Sequence, residues 1–322
     1  MKDSIKSIPV YYRYVLAILV LWVLAISLAK AWYLLSELWE IPLVMSLGSF
    51  IAGFSAEGGG AVAFPIFTKV LNIEPADAKQ FSLLIQSVGM TMASFFIVTR
   101  KISFYKFAIL PAVLGGTLGQ FISLQMGWFM ASHNLKWLFT IIIAALGLAL
   151  ILQHFSGIKR SEKINTKTAT PLLFITGLVG GFLTINVGCG ADMVAFIMLT
   201  LILNSTEKKA TPTTVIIMAL NSVVGVILIS YMQSWSPWAV DAWKTAIPVV
   251  ILGAPLGALL ASKVSNNVIL SGLLFFIFIE VVSTIWLVPL QAWVLPVFFG
   301  ILVTMFIIVW WKYRYMMSSR LV

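Results

Sequence analysis

Apolar runs long enough to cross a bilayer follow one another from Tyr14 to Trp311, with only short polar loops between them. Inside hydrocarbon a backbone has no water to bond with, so each run is expected to close its own hydrogen bonds as an α-helix. With 61% hydrophobic and 10% charged residues among 322, the chain is no ordinary soluble globule, and the runs leave no room for a separate soluble domain. The formal net charge of +10 does not point to a nucleic acid partner, because the Lys and Arg residues fall in short loops and tails rather than along one face. The expected fold class is an all-α polytopic membrane protein, a single membrane domain with the lipid bilayer as its surroundings.

Full spans are expected at 14–35, 80–99, 107–126, 136–153, 210–232, 244–262, 268–288 and 291–311. Two longer apolar stretches remain, Ile41 to Leu71 and Pro171 to Leu203. The most hydrophilic stretch, 156–170, carries Lys159, Arg160, Lys163 and Lys167 against Glu162. It reads as a basic cytoplasmic linker between an N-terminal half, 1–155, and a C-terminal half, 171–322. Near the start, Ser27-Leu28-Ala29 has the small residues of a signal-peptide cleavage site, but a run of roughly 22 apolar residues suits an uncleaved span.

An internal repeat relates the halves. A shift of 132 residues lays Val62-Ala63-Phe64 on Val194-Ala195-Phe196, Leu71-Asn72 on Leu203-Asn204, and Ala78 on Ala210. A shift of 138 lays Gly115-Gly116-Thr117-Leu118-Gly119 on Gly253-Ala254-Pro255-Leu256-Gly257. If both long stretches crossed the bilayer fully, the basic loops 100–106 and 156–170 would lie opposite the basic N-terminal tail. If each dips in and returns as two half-helices, the N-terminus, both loops, Lys263 and the C-terminal tail share the cytoplasmic side. The second arrangement predicts inverted repeats, the plan of a secondary transporter, with about eight full spans and two glycine-broken segments. A fully crossing but unwound helix stays open for either stretch.

Each long stretch is broken in its middle, by Glu57-Gly58-Gly59-Gly60-Ala61 and by Asn186-Val187-Gly188-Cys189-Gly190-Ala191-Asp192. A glycine gives up roughly 1 kcal/mol of helix propensity against alanine. Irregular backbone at that depth is tolerated only where protein or a polar cavity surrounds it, so both breaks are candidate sites. A half-helix that starts after glycines presents free N–H groups and the positive end of its dipole, which predicts a small anionic substrate. The candidate binding residues are Glu57, Gly58, Gly59, Gly60, Asn186, Gly188, Cys189 and Gly190. Gln86, Ser87 and Asn221 join them as polar groups deep in spans that either bond the substrate or bridge helices. Gly115 to Gly119 and Gly253 to Gly257 read as packing sites.

Intramembrane acids cost at least ~3 kcal/mol on insertion scales, so Glu57, Asp192 and Glu280 have a reason to be there. Either they couple transport to protons, or they are paired, Asp192 with the start of its half-helix and Glu280 with a donor not evident in the sequence. Cys189 is the only cysteine, so no internal disulfide forms, and with no histidine near it no metal site is expected. No cofactor is expected either. Neither His-Glu-x-x-His nor Gly-x-Ser-x-Gly occurs, and the chain does not read as an enzyme.

Gly53-Phe54-Ser55-Ala56-Glu57-Gly58-Gly59-Gly60, the proline at Pro65, the helix start at Ala78 and the weaker copy in the second half together resemble the sulfite exporter TauE/SafE family, also called the toluene sulfonate uptake permease family. The resemblance runs from about Leu43 to Phe306. It implies transport of sulfur-containing anions such as sulfite, sulfoacetate or related organosulfonates across a bacterial inner membrane. The expected protein is thus a multi-pass secondary transporter working by alternating access, with protons as coupling ion and both termini cytoplasmic. A passive anion channel, or a carrier of another small anion or metabolite, is the alternative. Where the family commonly has a second glycine-rich run followed by proline, this chain has Asn186 to Asp192, which leaves the exact substrate open. Direction and oligomeric state, a homo-oligomer included, are open as well.

Overall fold

The computed structural model describes residues 8–55, 64–126, 132–155, 164–301, 303–304 and 307. Among these, all regular structure is helical. The helices are α1 (Ile8–Leu28), α2 (Leu34–Glu37), α3 (Glu40–Phe54), α4 (Pro75–Thr99), α5 (Lys106–Met126), α6 (Ser132–Phe155), α7 (Thr166–Val187), α8 (Ala191–Ile197), α9 (Glu207–Met232), α10 (Pro237–Lys263) and α11 (Asn266–Leu287). Two short π-helical segments, Ile66–Val70 and Met198–Ile202, follow the two glycine breaks. A further helical stretch begins at 294.

Local chemistry sets boundaries that apolar runs alone do not. Lys30, at φ 52°, turns the chain just after α1, so 29–35 leaves the expected first span. Pro75 supplies a ready-made first turn and starts α4 before Gln80. Asn165 caps α7, its side chain accepting from the Lys167 N–H at 3.1 Å, so the end of the expected linker is already helix. Seven described helices, α1, α4, α5, α7, α9, α10 and α11, are long and apolar enough to cross a membrane. This differs from the expected set. α7 belongs to a stretch expected to be broken, the apolar part of α6 is only Asn134–Leu148, and 291–311 is described only in part. The protein is an all-α polytopic membrane protein.

Two close helix crossings hold the bundle, and each joins the two halves of the chain. Gly115 and Gly119 of α5 lie against the backbone of α7 at Phe174 and Leu178, and Gly181 of α7 lies against Gly116. In the other crossing Gly257 of α10 meets the backbone of α3 at Phe50, and Gly53 of α3 meets Ala254. A Cβ at Gly119 or Gly257 would overlap a facing carbonyl, so these glycines permit backbone contact of the kind that drives helix association in lipid. Between the crossings, α4 packs on both α9 and α10.

The offset of 132 also relates backbone bonds. The Leu71 N–H donates to Ile66 O and the Leu203 N–H to Met198 O, both at 2.9 Å. Ile73 to Phe67 and Ser205 to Leu199 match in the same way at 2.8 Å. Thr68 Oγ1 donates to Phe64 O at 2.8 Å, and Thr200 Oγ1 to Phe196 O at 2.7 Å. Asn72 and Asn204 then take φ 53° and 57°, a left-handed conformation that asparagine tolerates better than most residues.

A buried ion pair fastens the first π-helical segment to α11. Lys69 Nζ lies 2.8 Å from Glu280 Oε2, and both side chains are 2% exposed. Lys69 also donates to Ser283 Oγ at 3.0 Å and Thr284 Oγ1 at 2.7 Å, while Thr140 of α6 donates to Glu280 Oε1 at 2.7 Å. Lys136 Nζ donates to Thr68 O at 2.9 Å. Removing one partner leaves an uncompensated buried charge, which typically costs about 3–5 kcal/mol, whereas an apolar replacement of both is close to neutral. Lys69→Met and Glu280→Leu are each expected to lower the melting temperature in detergent sharply, and the double variant to recover most of it. Gly119→Ala and Gly257→Ala should each destabilise by about 1–3 kcal/mol from overpacking. Gly300→Ala, which has nothing within 4 Å of the added carbon, should leave the same melting curve unchanged.

Candidate functional site

The first break, with Glu57, Gly58, Gly59 and Gly60, falls in 56–63, outside the described residues. The second is a sharp junction between α7 and α8. Gly188 takes φ 80° and Gly190 φ 143°, both in territory that side chains other than hydrogen rarely occupy. At Gly188 a Cβ would sit 2.7 Å from the Lys79 carbonyl oxygen and 2.8 Å from Ser82 Cβ. The junction therefore rests directly on α4, and only glycine fits.

Polar side chains take up the backbone groups that the junction frees. Gly188 O accepts from Gln86 Nε2 at 2.8 Å and from Ser82 Oγ at 3.2 Å, and Gln86 Nε2 also donates to Ser82 Oγ at 2.7 Å. Asp192 Oδ1 accepts from the N–H groups of Gly190 at 3.2 Å and Met193 at 3.0 Å. Thr184 Oγ1 accepts from the Ala191 N–H at 3.2 Å and donates to Gly180 O at 2.8 Å. The expectation of free N–H groups at this half-helix thus needs correcting, because a carboxylate of the chain itself occupies the place an anion would take. Asp192 is fully buried, and its Oδ2 has no hydrogen-bond partner among the described residues. Cys189 is buried in the junction as a small residue.

Beside the junction lies a small cavity of about 30 Å³, bounded by the start of α4 and the ends of α5, α7 and α9. Its polar lining is Lys79, Gln80, Ser123, Thr184, Asn186 and Gln233, with no acidic residue. Asn186 Nδ2 donates to Ser123 Oγ at 2.9 Å and to Phe182 O at 2.9 Å, which fixes the amide and leaves the Ser123 hydroxyl proton available. Gln80 Oε1 accepts from the Ser236 N–H at 2.7 Å, so its amide nitrogen remains a donor. Lys79 forms no ion pair among the described residues. A cation without a counter-ion, surrounded by donors in a partly closed cavity, suits a small oxyanion.

The other expected site residues are placed apart from this group. Ser87 Oγ donates to Leu84 O at 2.7 Å within its own helix. Asn221 bridges helices, its Oδ1 accepting from Gln120 Nε2 at 3.1 Å against Gly116 of α5. Glu280 is held by Lys69. Of the expected set, Asn186, Gly188, Cys189, Gly190, Asp192 and Gln86 come together at the junction. Lys79, Ser82, Ser123 and Thr184 escape the sequence reading. Lys79 had a signal, a lone cation four residues after Pro75 in the turn that opens a long apolar run, but starting the span at Gln80 placed it outside.

Residues 41–284, which contain both glycine-broken stretches, match the sulfite exporter TauE/SafE family. No curated protein and no solved structure matches the chain. A match over more than half of the chain, on a bundle of this kind, is decisive: the protein belongs to the sulfite exporter TauE/SafE family of membrane transporters.

Proposed function

We propose that the protein is a secondary transporter of small sulfur oxyanions or organosulfonates in a cell inner membrane, holding its substrate in the Lys79 cavity and working by alternating access. The observation that carries the reading is the cavity lining, in which one cation and several neutral donors face a space without any carboxylate. Such a lining favours a sulfonate or sulfite head, with its three oxygens, over a neutral or cationic solute.

Re-entrant breaks in inverted halves, 1–155 and 171–322, are part of the same reading. α3 runs parallel to α10, with Gly53 at the level of Ala254, so Glu40 lies at the end where α10 starts. Lys69 meets Glu280 and Thr284 in the second half of α11, which follows α10 after residues 264 and 265 and so leads back toward the end where α10 starts. Both flanks of the first break are therefore at one end of the bundle. For the second break, α7 runs parallel to α5, and Ser205 Oγ donates to the Tyr105 hydroxyl at 3.1 Å, where α5 starts. Its flanks share the opposite end, since α4 joins the two levels. The end carrying 100–106 and Lys263 is taken as cytoplasmic, together with both termini.

Coupling to protons is assigned first to Asp192, with Glu57 as a second carrier. A proton on the unpartnered Oδ2 removes a negative charge next to the anion cavity, so substrate and proton would favour one another. Counterflow of labelled sulfite in proteoliposomes should show accelerated exchange, and its absence would mark a channel instead. Hydrogen bonds to charged groups contribute about 1.5–3 kcal/mol, so Lys79→Gln should raise half-saturating sulfite at least about tenfold. Unchanged binding in that variant would sink the assignment of the site. Asp192→Asn should carry sulfite at a rate indifferent to an imposed pH gradient that accelerates the wild type.

A further inference from the structure

We propose that Arg100, Lys101, Lys208 and Lys209 form a second oxyanion-binding site, a basic vestibule through which the substrate docks at the other end of the bundle. The inference rests on the transport reading above and adds a site that the glycine breaks do not contain. The four cations line a cavity of about 480 Å³, open on one side to solvent, together with Ser103 and Thr206. Arg100 and Lys101 directly follow α4, whereas Lys208 and Lys209 lie in the first turn of α9, so two separate elements bring the charge to one place.

The bland reading of such a group is a solvated basic loop of the kind that sets membrane topology. Three observations go beyond it. First, Arg100, Lys101 and Lys208 form no ion pair among the described residues, and no residue lining the cavity is acidic. Second, two of the cations are held by aromatic rings: the Arg100 guanidinium stands 5.4 Å from the Phe96 ring centre and Lys209 Nζ 5.8 Å from that of Tyr105. Like charges held around one space repel, and a bound anion relieves this.

Third, the vestibule leads somewhere. Ile102, Lys208 and Ser262 also line a constricted neck of about 10 Å³, room for roughly one water, that reaches Gly53, at the end of α3 and just before the first break. This neck is the repeat counterpart of the Lys79 cavity. Thr211 and Pro212 stand where an offset of 132 places Lys79 and Gln80, Ile97 stands for Ile229, and an offset of 138 puts Ala261 and Ser262 on Ser123 and Leu124. The counterpart lacks the inner cation, since Thr211 replaces Lys79, and its charge sits at the mouth instead. The two ends thus handle the same anion differently, by tight capture at Lys79 and by loose collection at the vestibule.

A soluble oxyanion and the headgroup of an anionic lipid share the chemistry such a site recognises, and the inward neck favours the soluble ion. Equilibrium binding of labelled sulfite, with inorganic sulfate as a second probe, should be measured on the full chain in phosphatidylcholine nanodiscs. Two sites are expected for the wild type and one for R100Q/K101Q/K208Q/K209Q, with the lost site being the weaker and more salt-sensitive. Should that variant fail to fold, Arg100→Gln and Lys208→Gln singly should each weaken the second site at least about fivefold. An unchanged site count, or single variants that bind like the wild type, overturns the vestibule. Loss of the second site when phosphatidylglycerol is included assigns it to lipid and overturns it too. If Lys79→Gln leaves binding intact while the vestibule variants reduce it, the vestibule stands and the Lys79 assignment fails; the reverse pattern removes the vestibule alone.

Discussion

A backbone that leaves the helix inside hydrocarbon must find all its hydrogen bonds in protein, and the α7–α8 junction shows what that demands. Each buried group left unmade costs about 1–3 kcal/mol, so three or four of them would be hard for a helix bundle to carry. The Gly188 carbonyl is taken by Gln86 and Ser82, and the first N–H groups of α8 by Asp192 and Thr184. These bonds fix the junction to α4 and α7 as a rigid corner. Lys79, Ser82 and Gln86 follow one another at spacings of three and four, so they share one face of α4. The face that anchors the corner therefore also sets the cation at the edge of the cavity.

Self-capping changes how an anion can be recognised. A half-helix whose leading N–H groups are already engaged has little left to offer a ligand, and its dipole is answered by Asp192. On the proposed reading, recognition would pass to side chains, to Lys79 and to the hydroxyl and amide donors around it. Such donors discriminate by position as well as by charge, whereas a bare helix end accepts most small anions. The stretch from Asn186 to Asp192 supplies both the cap and the amide that orients Ser123.

Much of this was legible in the sequence, and the remainder was hidden for identifiable reasons. Apolar runs reveal helices because hydrocarbon allows little else, and the offset of 132 reached as far as matching π-helical bonds and the left-handed Asn72 and Asn204. The glycine breaks announced themselves because three weak helix formers in an apolar run need an explanation. Partners across the bundle left no such mark. Glu280 finds Lys69 at a separation of 211 residues, and nothing near either residue names the other. Gln86 and Asn221 looked alike as buried amides, yet one holds the junction and the other bridges α5 and α9, a difference set by tertiary packing alone. The Lys79 cavity was missed because its lining comes from the ends of four helices, where boundaries read from hydropathy are least certain.

The glycine crossings limit how access to these cavities can change. α5 of the first half is locked backbone to backbone on α7 of the second, and α10 of the second on α3 of the first. If the halves 1–155 and 171–322 rocked against each other as rigid bodies, both crossings would shear at their closest contacts, where there is no side chain to yield. A movement that preserves them must keep α3 with α10 and α5 with α7, so its moving units mix the two halves of the chain. Between these pairs lie α4 and α9, each reaching from a glycine break toward the opposite end of the bundle. α4 and α9 line both the Lys79 cavity and the neck, so the alternating access proposed above would require a shift of one pair against the other to act on both ends. The two parts of the chain are thus packed less as separate domains than as two interlocked pairs, and on the proposed mechanism that interlock would tie the changes at the two ends together.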